Sequence, residues 1–225
     1  MVDRVPDELA SVGRLLHLPP LELVPEPFRG RSFVVVEAAY IGTEAEGREL
    51  LAPLRDLGPE IDTVATMAPP GLAALHMDPP EPVPGLGDGA LVDGLPPDAI
   101  DAVVELAGPG SRSPLLSVEL RHLGGALATA SPGHGAVGAL EADFAMFAVG
   151  VAATPEQAAA VNEAVVHARE ALAPWDAGRT FLNFTERRVE TDALFPPDSV
   201  RRLRELKRRV DPQGVIRACH PVAPA

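Results

Sequence analysis

The sequence predicts an α+β fold: an antiparallel β-sheet with helices packed on one face, built from ferredoxin-like strand–helix repeats. Three observations predict it. The valine-rich segment 32–42 (SFVVVEAAYIG) passes straight into a helix with a capping signal, and segment 143–153 (DFAMFAVGVAA) does the same. Further strand-like sequence at 113–125 and 179–184 follows with few residues between units, which suits an antiparallel sheet.

Each element has a local reason. In the first helix Thr43 and Glu46 have capping-box spacing, and Leu50, Leu51, Leu54 and Leu57 supply an apolar face. Pro53 is expected to kink or shorten it. A helix fits Pro96–Ala107. In 113–125 (SPLLSVELRHLGG) strand alternation puts Ser117, Glu119 and Arg121 on one face and Leu116, Val118, Leu120 and His122 on the other. The second capped helix has Thr154 as N-cap, Pro155 at the first helical position and Gln157 completing the box, with Ala158, Val161, Val165, Ala168 and Leu172 along one side. RTFLNF at 179–184 reads as a strand. A last helix at about 198–210 buries Val200, Leu203, Leu206 and Val210. Its other face carries six basic residues between Arg201 and Arg209, read as a solvated face that also complements the helix dipole.

Composition narrows the function classes. The chain has 225 residues, 46% of them hydrophobic, enough to bury a core. A formal charge of −13 repels phosphate backbones and argues against nucleic acid as a partner. A single cysteine forms no internal disulfide, the N-terminus lacks a signal-peptide pattern, and no apolar run is long enough for a membrane span. A soluble cytoplasmic protein without a membrane partner is expected. The 25 prolines and 20 glycines cluster at 19–30, 69–97 and 108–114, and MDPPEPVPGLGDG reads as a loop inside the domain.

Familiar catalytic signatures are missing. There is no G-x-S-x-G elbow, Walker A loop or H-E-x-x-H. GLGDGA and GPGSRS read as isolated glycine clusters, not a dinucleotide loop between strand and helix. Cys219 and His220 are adjacent, so on an extended backbone they point opposite ways, and no metal site is expected. The charged face with Glu119 and Arg121 has two readings: a solvated sheet surface with a Glu–Arg pair, or the roof of an active site. His122, on the apolar side, reads as a hydrogen-bonded core residue.

The last quarter, TFLNFTERRVETDALFPPDSVRRLRELKRRVDPQGVIRACHPV, resembles the C-terminal segment of the berberine bridge enzyme-like FAD-linked oxidases. That family shows an aromatic-x-Asn-aromatic strand, an R-L-x-x-[LI]-K helix, D-P-x-x-x-[FI] and a closing N-H-P. The counterparts here are Phe181 to Phe184, Arg202 to Lys207, Asp211-Pro212 and Cys219-His220-Pro221. VELRHLGGAL and YIGTEAEGRELLAPLRDLG resemble the family's substrate domain. The resemblance implies a substrate-binding-like domain over 1–175 and a C-terminal segment over 176–225 packing on it. It implies hydride transfer from an alcohol, sugar or amine to FAD, with Glu119 and Arg121 as catalytic candidates. Asn183, Cys219 and His220 become cofactor-binding candidates. The FAD-binding domain has no counterpart in the sequence, so the expected partners are a small-molecule substrate and a separate FAD-binding chain, with a homodimer also open. A non-enzymatic ligand-binding or self-associating module is the alternative. Two departures stand out: Phe181 replaces a usual tyrosine, and Cys219 stands where the family has asparagine.

Overall fold

A computed structural model describes residues 5–22, 24–78 and 81–223 of the chain. Five strands form one antiparallel sheet: β1 (Leu9–His17), β2 (Ser32–Tyr40), β3 (Gly85–Val92), β4 (Ser117–His122) and β5 (Phe144–Val151). Their order across the sheet is β2-β1-β4-β5-β3. The helices are α1 (Glu44–Arg55), α2 (Pro97–Ala107), α3 (Pro155–Ala171), the single-turn α4 (Thr191–Leu194) and α5 (Pro197–Val210). The α+β class and the antiparallel sheet are as expected.

Helices α2 and α3 cover one face. Val92, Val118, Phe144, Met146 and Ala148 from the sheet pack there against Val103, Leu106, Val161, Val165 and Leu172. Gly150 makes the close approach of α3 possible, because a Cβ at this position would come within 2.7 Å of Val161. The apolar row of β4 faces this core, with Val118 inside it and Leu120 against it.

The capping signals form as the sequence predicts. In α1 the Thr43 side chain accepts from the Glu46 amide while Glu46 accepts from the Thr43 amide, and Pro53 lies in the final turn. In α3 Thr154 caps Gln157, but the Gln157 carboxamide reaches the amide of Ala153, one residue before the N-cap.

Four expectations need correction. Residues 5–31, which carry no predicted element, include β1, the strand between β2 and β4. The GLGDGA cluster is not a loop: all six residues lie in β3, a paired strand despite its three glycines. Of the preceding proline-rich stretch, Pro79 and Pro80 lie outside the described residues. Segment 179–184 is not a strand but turns into a 3-10 helix at Leu182–Phe184, closed by the Phe184 amide and the Thr185 hydroxyl, both donating to the Phe181 carbonyl. Gly89 explains where that turn sits, since a Cβ there would lie 2.9 Å from the Phe184 Cβ and 3.0 Å from its carbonyl oxygen. Finally, Leu57 is exposed just beyond the end of α1, and Leu206 and Val210 are exposed because α5 buries Val200 near its start and leaves its far end in solvent.

Candidate functional site

The face opposite α2 and α3 carries the charged residues. Register sets Arg14 of β1 opposite Glu119 of β4, and Val12 opposite both Arg121 and Glu37, so these charges share one face of three adjacent strands. The segment after α1 crosses this face through a 3-10 turn at Pro69–Ala74 and sets Leu75 and His76 down on it.

The result is a buried ionic cluster. Glu119 is 4% exposed, Arg14 8% and Glu37 9%. Arg14 Nη1 donates to Glu37 Oε1 at 2.5 Å and to the His76 carbonyl at 3.1 Å. His76 Nδ1 lies 2.8 Å from Glu37 Oε2, and its Nε2 lies 3.1 Å from Glu119 Oε1. Arg121 donates to Glu119 Oε2 through Nε at 3.1 Å and Nη2 at 2.8 Å. Burial of Glu119 excludes a plain solvated sheet surface. A buried carboxylate without partners is costly, and here His76 and Arg121 each meet one oxygen of Glu119. Arg14 Nε is the member left without a hydrogen bond, 3.8 Å from Glu119 Oε1.

Beside the cluster lies an open cleft of about 280 Å³. Val12, Ala39 and Ala145 make its floor, and Leu75, Phe181 and Phe184 its walls. Arg121 lines it, with its guanidinium carbon 4.9 Å from the centre of the Phe184 ring. Phe184 in turn packs on Phe147 and Phe181, both at 5.0 Å between ring centres. The C-terminal segment is clasped to the β3 edge by the Arg187–Asp88 ion pair and by Glu186 accepting from the Gly87 amide.

The predicted site residues separate into two groups. Glu119 and Arg121 come together in the cluster at the cleft. Asn183 does not share a strand face with Phe181: the turn sends Phe181 into the cleft wall and leaves Asn183 exposed. Cys219 is exposed, while His220 is half-buried with Nε2 donating to the Thr185 carbonyl at 3.1 Å. The tail therefore docks on the segment that walls the cleft. Asp211, whose carboxyl is held below the usual range by hydrogen bonding to Lys207, fixes the preceding turn through the Val215 and Ile216 amides. Among the described residues no group of three His, Cys, Asp or Glu side chains forms a metal site, and no helix is long and apolar enough to cross a membrane.

Sequence reasoning missed Arg14, Glu37 and His76. A signal for two of them was present. Arg14 and Glu37 are lone charges within apolar strand sequence, and a charge in the middle of such a strand needs a buried partner. His76 carried none, since its position depends on the path of a loop.

No family model matches the sequence, and no curated protein matches it. Solved structures do. The chain aligns with BBE-like protein 28 from Arabidopsis thaliana at TM-score 0.74 and 15% identity, over 99% of this chain and 51% of that one. The fold is that of half a berberine bridge enzyme-like protein. A berberine bridge enzyme variant aligns at TM-score 0.73 and 12% identity, over 99% of this chain and 50% of that one. Phl p 4, a grass pollen allergen with glucose dehydrogenase activity, aligns at TM-score 0.70 and 13% identity, over 99% and 50%. At these identities the likeness to the berberine bridge enzyme-like proteins is one of fold, and the chain spans about half their length.

The described residues could meet an FAD only at its ring end, as a neighbouring apolar surface beside Arg121, and supply nothing for its phosphates. The pyrophosphate finds no cradle among the described residues. Helix N-termini attract phosphate, yet α1, α2, α3 and α5 carry Glu44 and Glu46, Asp98, Glu156 and Asp198 in their first turns.

Proposed function

We propose that this chain is the substrate-side half of an FAD-linked oxidoreductase that oxidises an alcohol, sugar or amine, with the flavin-binding half supplied by a separate chain or by further sequence. The observation that carries this reading is the buried Glu119 paired with a half-buried Arg121 that lines an apolar cleft, within a fold that berberine bridge enzyme-like structures match over 99% of this chain. A flavin, when bound, supplies acceptance of a hydride from the substrate carbon.

The chain's own residues would bind and orient the substrate. Arg121 presents its guanidinium to the cleft, and the aromatic wall of Phe181 and Phe184 excludes water. Phe181 has no hydroxyl, so the proton that leaves with the hydride goes to another group. Glu119 is the carboxylate nearest Arg121. Both its oxygens are engaged, so its service as a base requires His76 to move away. Asn183 and the Cys219–His220 tail are proposed to face the flavin-binding half, Asn183 because it is exposed and without a side-chain hydrogen bond among the described residues.

The engagement of both Glu119 oxygens also favours a second reading, a non-enzymatic ligand-binding module that keeps the cleft and has lost the chemistry. One experiment separates the two. The chain is co-expressed with FAD-binding chains from its host, and the complex is mixed anaerobically with a panel of alcohols, sugars and amines. Bleaching of the flavin that needs this chain supports the oxidoreductase. A flavin-bearing complex that no panel member reduces, while a ligand still saturates the cleft, supports the module.

A further inference from the structure

We infer that the cleft selects an apolar, ring-bearing molecule with one hydrogen-bond-accepting oxygen, held by Arg121, and rejects polyols such as hexoses. This rests on reading the cleft as the substrate site, and it names the class of substrate.

The cleft has few polar groups left to offer a ligand. Two charged side chains line it among the described residues, Glu37 and Arg121. Both Glu37 oxygens are already engaged: Oε1 accepts from Arg14, and Oε2 faces His76 Nδ1. Arg121 uses Nε and Nη2 on Glu119, leaving the Nη1 edge without a partner among the described residues. Ser11 and His122 also border the cleft, but strand alternation turns both toward the helix-covered face, where the His122 ring lies 5.6 Å from Phe144. The floor of Val12, Ala39 and Ala145 offers no hydrogen bond at all.

Arg121 is also held in place before any ligand arrives. Glu119 fixes two of its nitrogens and its guanidinium carbon lies 4.9 Å from the centre of the Phe184 ring, so its free edge is pre-organised. Glu119 already balances its charge, so the edge acts as a directed donor more than as a net cation. A neutral carbonyl, ether or hydroxyl oxygen suits it, and a full anion gains little. A hexose would bring several hydroxyls to a surface with one free donor, and every hydroxyl left unpaired on burial counts against binding. The aromatic wall and apolar floor reward a flat ring instead.

The test uses the chain itself, with binding followed by amide chemical-shift titration. The probes are 2-acetylnaphthalene, its isostere 2-isopropenylnaphthalene, which lacks the oxygen, and glucose. The ketone is expected to bind about tenfold more tightly than the isostere, the size of one good hydrogen bond. Glucose is expected to give no saturable shift. Arg121→Met keeps most of the side-chain volume but removes the donor, so it is expected to bring ketone and isostere to equal affinity. Ala39→Phe fills the floor and is expected to abolish both. Equal binding of ketone and isostere to the wild type overturns the inference, as does saturable glucose binding or no binding of the ketone. None of those outcomes touches the flavin-reduction result, which tests the oxidoreductase reading separately.

Discussion

Replacing Arg14 with methionine is expected to cost about 3–4 kcal/mol of folding stability, the penalty typical of breaking a buried ion pair. Arg14 is the only arginine or lysine within hydrogen-bonding reach of Glu37 among the described residues, and it also ties the His76 carbonyl to the sheet. Its removal leaves Glu37 and Glu119 as two buried carboxylates with His76 between them. Arg121 still serves Glu119, which keeps the cost toward the lower part of the range. For a chain of this size the melting temperature should fall by roughly 10 °C. The decisive comparison is the double variant Arg14→Met, Glu37→Leu. It removes both the cation and the carboxylate it served, while Glu119 keeps Arg121 and His76. The double variant is therefore expected to be more stable than Arg14→Met alone. Urea denaturation with both arms of the cycle measures this. A loss below about 1 kcal/mol for Arg14→Met, or a double variant less stable than the single, would refute the account of the cluster.

Gly89→Ala should destabilise by about 1–3 kcal/mol and loosen the C-terminal segment, because the new methyl meets the Met146 carbonyl at 2.7 Å and Phe184 at 2.9 Å. Limited proteolysis around residues 179–190 and urea melts read the two effects together. Thr43→Ala should cost about 1 kcal/mol by removing the α1 N-cap, seen in the same melts. Hydrogen bonding to Lys207 depresses the Asp211 carboxyl, so its contribution is present above the ordinary aspartate range and is lost as pH falls through its lower folded value. Protection of the Val215 and Ile216 amides from hydrogen exchange, taken relative to the intrinsic rate at each pH, should fall in acid in the wild type, and Asp211→Asn should remove most of that pH dependence. Cys219→Ser should leave stability unchanged, since the thiol is exposed.

The elements legible in the sequence were those with a local signature. The two capped helices, the valine-rich β2 and the alternating β4 declare themselves through spacing, and the structure forms each of them. What stayed hidden depends on distant partners. β3 has glycines where strand propensity wants branched residues, and Gly87 and Gly89 leave the room that the Phe147 ring and the Phe184 backbone occupy against it. RTFLNF has the composition of a strand but bends into a turn, because Phe184 packs onto that glycine platform. At the site, Glu119 and Arg121 could be read from one strand. Their partners Arg14, Glu37 and His76 come from three other segments, and only the sheet order brings them together.

The claim at the centre of this account is that the chain completes a flavin site it cannot hold by itself. The most direct test is the flavin content of the chain in two preparations, expressed alone and isolated under native conditions from its host. The account predicts no flavin absorbance surviving gel filtration in the first. In the second it predicts about one flavin per chain, carried by a complex with the FAD-binding half. Stoichiometric flavin on the chain alone would contradict it, and so would a native preparation that is free of flavin.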